Sequence, residues 1–169
     1  MTSTFLKPFA VRASLAFAAT SLGILAVASG ADAQTPAANK TIVQRSFDAW
    51  TAGTGSPFEL LADEASWTIE GNSVASKTYP TKEAFLREVI RPFNARMSAG
   101  IKPTIKSITA DGNRVVIHFD AAGTARDGKP YVNTYAWFFQ MQGGRVTRAS
   151  AFFDAIAFND LWARVAPDE

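Results

Sequence analysis

The sequence predicts one α+β domain in which a curved, mostly antiparallel sheet wraps around helices that precede it. Three observations predict this. Apolar residues recur at helical spacing in the first part of the domain, but with period two from residue 102 to 153. The turns DGN, RDGK and GG fall between the alternating stretches, as antiparallel hairpins require. The helices come before the long strands and do not alternate with them, which argues against a doubly wound parallel sheet.

The chain opens with what reads as a signal peptide, residues 1–33. Lys7 and Arg12 make a positive start, residues 13–28 are apolar and small, and Ala31-Asp32-Ala33 is an A-x-A cleavage signature. The apolar stretch is shorter than the ~20 residues of a membrane-spanning helix. The expectation is cleavage after Ala33, a periplasmic or secreted product, and no membrane attachment afterwards. No arginine pair directs it to the twin-arginine route. Residues 34–38 read as a linker, and residues 39–169 as the domain.

Within the domain, Val43, Phe47 and Trp50 mark one face of a helix over 39–52, ended by Gly53 and Gly55. Pro57 starts a short helical piece over 57–63. Residues 65–71 read as a strand with Trp67 and Ile69 on one face, and 72–80 as a loop. Thr81 is an N-cap for a helix over 81–97 whose buried face is Phe85, Leu86, Val89, Ile90, Phe93 and Met97; Pro92 bends it or ends its regular part. Four strands follow over 102–110, 114–125, 130–142 and 145–154, then a terminal helix over 155–165.

Composition narrows the function. Apolar residues make up 47% of the 169 and charged residues 19%, so a packed core is expected. Thirteen Phe and four Trp suffice to build a core or to line an apolar cavity. The net charge of +2 falls by one when residues 1–33, with Lys7, Arg12 and Asp32, are removed, leaving no electrostatic case for nucleic acid. Cysteine is absent and His118 is the single histidine, which argues against a metal site and removes thiol chemistry. No phosphate loop, G-x-S-x-G elbow or H-E-x-x-H motif occurs. No cofactor is expected.

One run carries candidate chemistry. His118 and Asp120 share a strand face with Val116 and Ala122, while Val115, Ile117, Phe119 and Ala121 share the other. Asp154 ends the last long strand. Facing a cavity, these three would form an acid–base group in which desolvation separates the two carboxyl pKa values. Facing water, His118 and Asp120 would be ordinary residues of a wet sheet face, and Asp154 the N-cap of the terminal helix. Periodicity alone favours the second arrangement. Trp67, Tyr79, Tyr135 and Trp137 suit the wall of a ligand pocket or a core equally; Asn133, Tyr135, Trp137 and Phe139 share one strand face.

The stretch YVNTYAWFFQMQGGRVTRASAFFDAIAFNDLW resembles the SnoaL-like branch of the nuclear transport factor two-like (ketosteroid isomerase-like) superfamily. The shared features are a tyrosine-rich strand, a Gly-Arg-Val turn, a Phe-Phe-Asp strand end and a short helix. LADEASWTIEG resembles that family's first strand. The resemblance implies a cone-shaped fold, a deep apolar pocket involving Trp67, Ile69, Tyr79, Tyr135 and Trp137, and a homodimer. The family includes steroid isomerases, polyketide cyclases, limonene-epoxide hydrolases, dehydratases and non-catalytic binding domains. Laid on the epoxide-hydrolase pattern, the arginine-x-aspartate pair falls on His118 and Asp120, and the second aspartate on Asp154. The water-holding tyrosine and asparagine fall near Trp67 and Ile69 and do not match. The steroid-isomerase base falls near Ile69, with Glu70 adjacent. The resulting expectation is an exported domain that binds a small, mostly apolar molecule. It either acts on that molecule by cofactor-free hydration, isomerisation or cyclisation, with Asp154 as base, Asp120 as acid and His118 between them, or serves as a non-catalytic binding or dimerisation module.

Overall fold

The computed structural model describes residues 1–2 and 35–167. Apart from Met1 and Thr2, the expected signal peptide and its cleavage point lie outside the described residues.

Helix α1 (Pro36–Ala52) starts inside the expected linker. Three local features explain the early start: the Thr35 hydroxyl accepts from Ala38 N, Pro36 occupies the first turn, and Ala37 and Ala38 are strong helix formers. Gly53 ends the helix at φ 73°, a left-handed conformation that its missing side chain permits. Val43 and Phe47 are fully buried on its inner face.

A 3₁₀ turn, Pro57–Leu60, held by a capping box between Ser56 and Glu59, leads into β1 (Leu61–Ile69). The helical piece is therefore shorter than expected, and residues 61–63 join the strand. A two-residue strand, β2 (Thr78–Tyr79), sits within the expected loop and pairs with β1. Helix α2 (82–94) begins at the Thr81 cap. It consists of an α-helical turn (Lys82–Phe85), a π-helical turn (Leu86–Ile90) and a second α-helical turn (Arg91–Asn94). Pro92 has no N–H to give, and the helix widens just before it, with Arg91 N–H reaching back to Leu86 O. The helix stops at Asn94, so Met97 opens a strand and is not on the helical face.

The long strands are β3 (Met97–Asp111), β4 (Arg114–Ala125), β5 (Pro130–Gln142) and β6 (Arg145–Phe153), followed by α3 (Ala155–Arg164). The sheet order is β2-β1-β6-β5-β4-β3. Every neighbouring pair is antiparallel except β1–β6, so the six-stranded sheet is mixed, open and curved. Three register shifts interrupt the β3–β4 pair, between Met97/Ala99, Ala99/Lys102 and Ile105/Ser107. Such irregularities bend a strand and raise its twist. Gly123 stands at this bend: a Cβ there would lie 2.7 Å from Ala99 O and 3.0 Å from Ile101 N. Only glycine lets the two backbones approach so closely.

The core lies between the helices and one face of the sheet. Val115, Ile117 and Phe119 of β4 and Trp137, Phe139 and Met141 of β5 point into it. The Phe47 ring meets Phe119 at 5.0 Å and Trp137 at 5.7 Å, both edge-on.

Candidate functional site

The inner face of the sheet is not fully covered. Between it and the helices lies a cavity of about 440 Å³. Trp50 and Phe58 come to it from the end of α1 and the 3₁₀ turn; Trp67 and Ile69 from β1; Phe85, Val89 and Phe93 from α2. Tyr135 and Trp137 of β5 form its floor, and Phe153 and Phe158 close one side. Asn94 and Gly100 are exposed members of the wall and mark where the cavity meets solvent.

The wall is ordered by ring-on-ring packing. Trp67 stacks on Phe85 at 4.3 Å and 8°, and Trp137 at 5.1 Å, Phe58 at 5.7 Å and Phe139 at 6.0 Å meet it edge-on. These contacts hold the rings as a wall around open space. The wall contains no Asp, Glu, His, Lys or Arg side chain among the described residues.

Besides Ser56 and Asn94, its polar content is a buried chain that starts at Tyr135. The Tyr135 and Tyr131 hydroxyls are 3.0 Å apart. Asn133 Nδ2 donates to Tyr131 Oη at 2.9 Å and to Asp154 O at 3.0 Å, and Asn133 Oδ1 accepts from Asp154 N at 2.8 Å. The chain thus runs from the cavity to the junction of β6 and α3. Burial pushes the Tyr131 phenol above the ordinary tyrosine range and the Tyr135 phenol well above it. Trp67 Nε1–H is also buried and has no hydrogen-bond partner among the described residues.

Of the residues expected in the pocket, Trp67, Ile69, Tyr135 and Trp137 line the cavity. Tyr79 does not: it is buried against Phe85, and its hydroxyl donates to Ala75 O at 2.7 Å, tying down the loop before β2.

The expected acid–base group is not assembled at the cavity. In β4 the wholly apolar face turns inward, so His118 and Asp120 point to the outer face of the sheet. The pleat allows one face to be buried, and burying an imidazole and a carboxylate in place of valine, isoleucine and phenylalanine would cost far more. The Asp120 carboxylate is bonded to Lys106 Nζ and Thr134 Oγ1, each at 2.7 Å. Those two donors, Lys106 first, hold its carboxyl below the usual carboxylate range. Asp154 is exposed and caps α3, accepting from Ile156 N and Ala157 N. Register sets Asp120 opposite Thr134, and Asp154 follows the end of β6; neither lines the cavity.

Sequence reasoning missed Tyr131 and the bonding role of Asn133. A signal was present: a tyrosine, an asparagine and a tyrosine occupy the inward parity of β5, alongside Trp137, Phe139 and Met141. Polar residues in register with a buried face must satisfy one another. The walls from Trp50, Phe58, Phe153 and Phe158 gave no such signal, since periodicity marks a residue as apolar without saying whether it packs solidly or borders a void. No group of three or more His, Asp or Glu capable of holding a metal ion occurs among the described residues.

Comparison with known proteins places this geometry. The SnoaL-like domain model matches residues 43–149. No curated protein matches the chain by sequence. Among solved structures, Bal32a from a soil-derived mobile gene cassette superposes with a TM-score of 0.60 at 23% identity, covering 73% of this chain and 95% of its own. An NTF2-like protein of unknown function from Burkholderia pseudomallei gives 0.60 at 17% identity over 73% and 95%. A putative isomerase from Bacillus subtilis gives 0.58 at 17% over 80% and 100%. At these identities the likeness is one of fold.

Proposed function

This chain belongs to the SnoaL-like domain family, and from that premise we propose that it is a binding domain for a small, neutral, mostly apolar molecule. The observation that carries the reading is the cavity: about 440 Å³, within the range of small-molecule sites, with an aromatic wall free of ionisable acids and bases other than Tyr135. General acid–base catalysis needs a group whose pKa lies near the working pH, and burial moves the Tyr135 phenol away from it. The geometry therefore supports binding over catalysis by His118, Asp120 and Asp154.

The test is a titration with neutral mono- and bicyclic compounds, read by the fluorescence of Trp50, Trp67 and Trp137, with the ligand recovered afterwards. Binding that is lost in Val89→Trp, which fills the cavity, with ligand recovered unchanged, supports the reading. Binding that persists in Val89→Trp, or a ligand converted to product, overturns it.

We also propose that the outer sheet face pairs with a second copy. Phe138, Phe152 and Val132 are 38%, 49% and 59% exposed there, and the two Phe rings lie 5.9 Å apart. Arg114 and Arg148 flank Gln140, while Asp120 pairs with Thr134 six residues back along the same strand. A two-fold axis lying across the strands sets the arginine row of one copy over Asp120 of the other. Light scattering across concentrations tests it: dimerisation weakened by Arg114→Asp and restored by adding Asp120→Arg supports the pairing, and a monomer throughout overturns it. Export is supported by the N-terminal pattern. Cleavage after Ala33 would leave α1 and its Thr35 cap intact, and a mature protein beginning at Gln34 is the result that tests it.

A further inference from the structure

We infer that Tyr135 donates a hydrogen bond to a carbonyl-type oxygen of the bound molecule, so that the cavity selects neutral, mostly apolar compounds bearing an acceptor. This rests on the binding reading above and adds the chemistry of the ligand's polar end.

The argument is a count of hydrogens. Asn133 has two N–H donors, and both are committed, one to Tyr131 Oη and one to Asp154 O. Its oxygen is committed to Asp154 N. An amide flip would set its NH₂ against the Asp154 N–H, so the orientation is fixed by the backbone where β6 passes into α3. The Tyr131 oxygen thus already accepts. Two hydroxyl hydrogens remain, those of Tyr131 and Tyr135, and one of them forms the 3.0 Å bond between the pair. The other has no acceptor among the described residues.

Either hydroxyl can donate in the 3.0 Å bond, and position favours a spare hydrogen on Tyr135. Tyr131 is 2% exposed and is not part of the cavity wall, whereas Tyr135 lines the cavity. If Tyr131 donates to Tyr135, the spare hydrogen belongs to the residue that a ligand can reach. The relay then runs from Asn133 through Tyr131 to Tyr135, each donor polarising the next. A phenol kept protonated by burial is suited to donate. Trp67, in the same wall, carries a second buried donor without a partner. A ligand oxygen beside Tyr135 relieves a buried donor left unmade. Among the described residues no charged side chain stands in the wall to balance an ionised ligand, which favours a neutral one.

The test uses 1-tetralone and tetralin, which share a ring skeleton and differ in the carbonyl. Taking the ratio of their affinities in each protein cancels their different hydration. The ratio is expected to shift about tenfold against the ketone in Tyr135→Phe, with tetralin affinity unchanged, and to shift less in Tyr131→Phe. The carbonyl stretch of bound 1-tetralone in the unaltered protein should lie below its position in hexane and return toward it in Tyr135→Phe. An unshifted ratio in Tyr135→Phe, or a bound carbonyl band at the hexane position in the unaltered protein, overturns the donor assignment while tetralin binding leaves the cavity reading intact. Failure of both compounds to bind sinks both readings.

Discussion

Replacing Asn133 with alanine tests the buried chain that joins the cavity to the rest of the fold. The side chain is 3% exposed and makes three hydrogen bonds of 2.9, 3.0 and 2.8 Å. Each is worth about 0.5–1.5 kcal/mol net. Water can reach part of the Asp154 backbone once the amide is gone, which argues for the middle of the summed range, about 3 kcal/mol. For a domain of this size that corresponds to a fall in Tm of about 10 °C. Urea unfolding followed by tryptophan fluorescence measures it. Asn133→Asp is a sharper probe, because a carboxylate keeps the acceptor for Asp154 N–H but loses both donors. It faces a carbonyl and a phenol, so burial and the opposed acceptor raise its folded pKa. Its stability should therefore be greatest at acid pH and fall as pH rises through that value. A loss under about 1 kcal/mol in Asn133→Ala, or an Asn133→Asp variant as stable as the parent at pH 7, would refute a load carried by this chain.

Other outcomes follow from local geometry. Gly123→Ala should destabilise by about 1–3 kcal/mol in chemical denaturation, because its Cβ would meet Ala99 O at 2.7 Å. Asp154→Ala should cost about 1 kcal/mol through loss of the α3 cap, while Asp120→Asn, at a half-exposed ion pair, should leave Tm within a few degrees. Asp120, Asp127, Glu83 and Glu88 all have carboxyls held below the usual range by hydrogen-bonded basic partners. Their contribution is present above the unfolded values of about 4 and is lost as pH falls through the lower folded values. Stability should accordingly be insensitive to these groups between pH 5 and 7 and decline in acid, less so in high salt, as a pH series of urea midpoints would reveal.

Much of the fold is legible in the sequence because its signals are local. Period-two alternation assigns β4, β5 and β6 nearly to the residue, since glycine turns bound β4 and β5 on both sides and open β6. Thr81 and Asp154 announce helix starts because a cap acts on backbone groups two or three residues away. The early start of α1 was legible too, in Thr35-Pro36-Ala37-Ala38, but the apparent linker composition masked it. The short strand β2 was not, because two residues become a strand only when β1 offers them a partner.

The outward placement of His118 and Asp120 shows how the two kinds of information divide. The sequence determined that they share a face opposite Val115, Ile117 and Phe119, since the pleat fixes parity. Which face turns toward the helices is an energetic choice of the whole sheet, and it went to the apolar one. The cavity is the feature that only tertiary structure decided. Its walls come from α1, the 3₁₀ turn, β1, α2, β3, β5, β6 and α3, and whether rings so distant in sequence close on one another or stop short depends on the bend of the sheet at Gly123 and on where α2 and α3 come to rest against it. No local pattern encodes that gap, because a void is a property of how surfaces fail to meet.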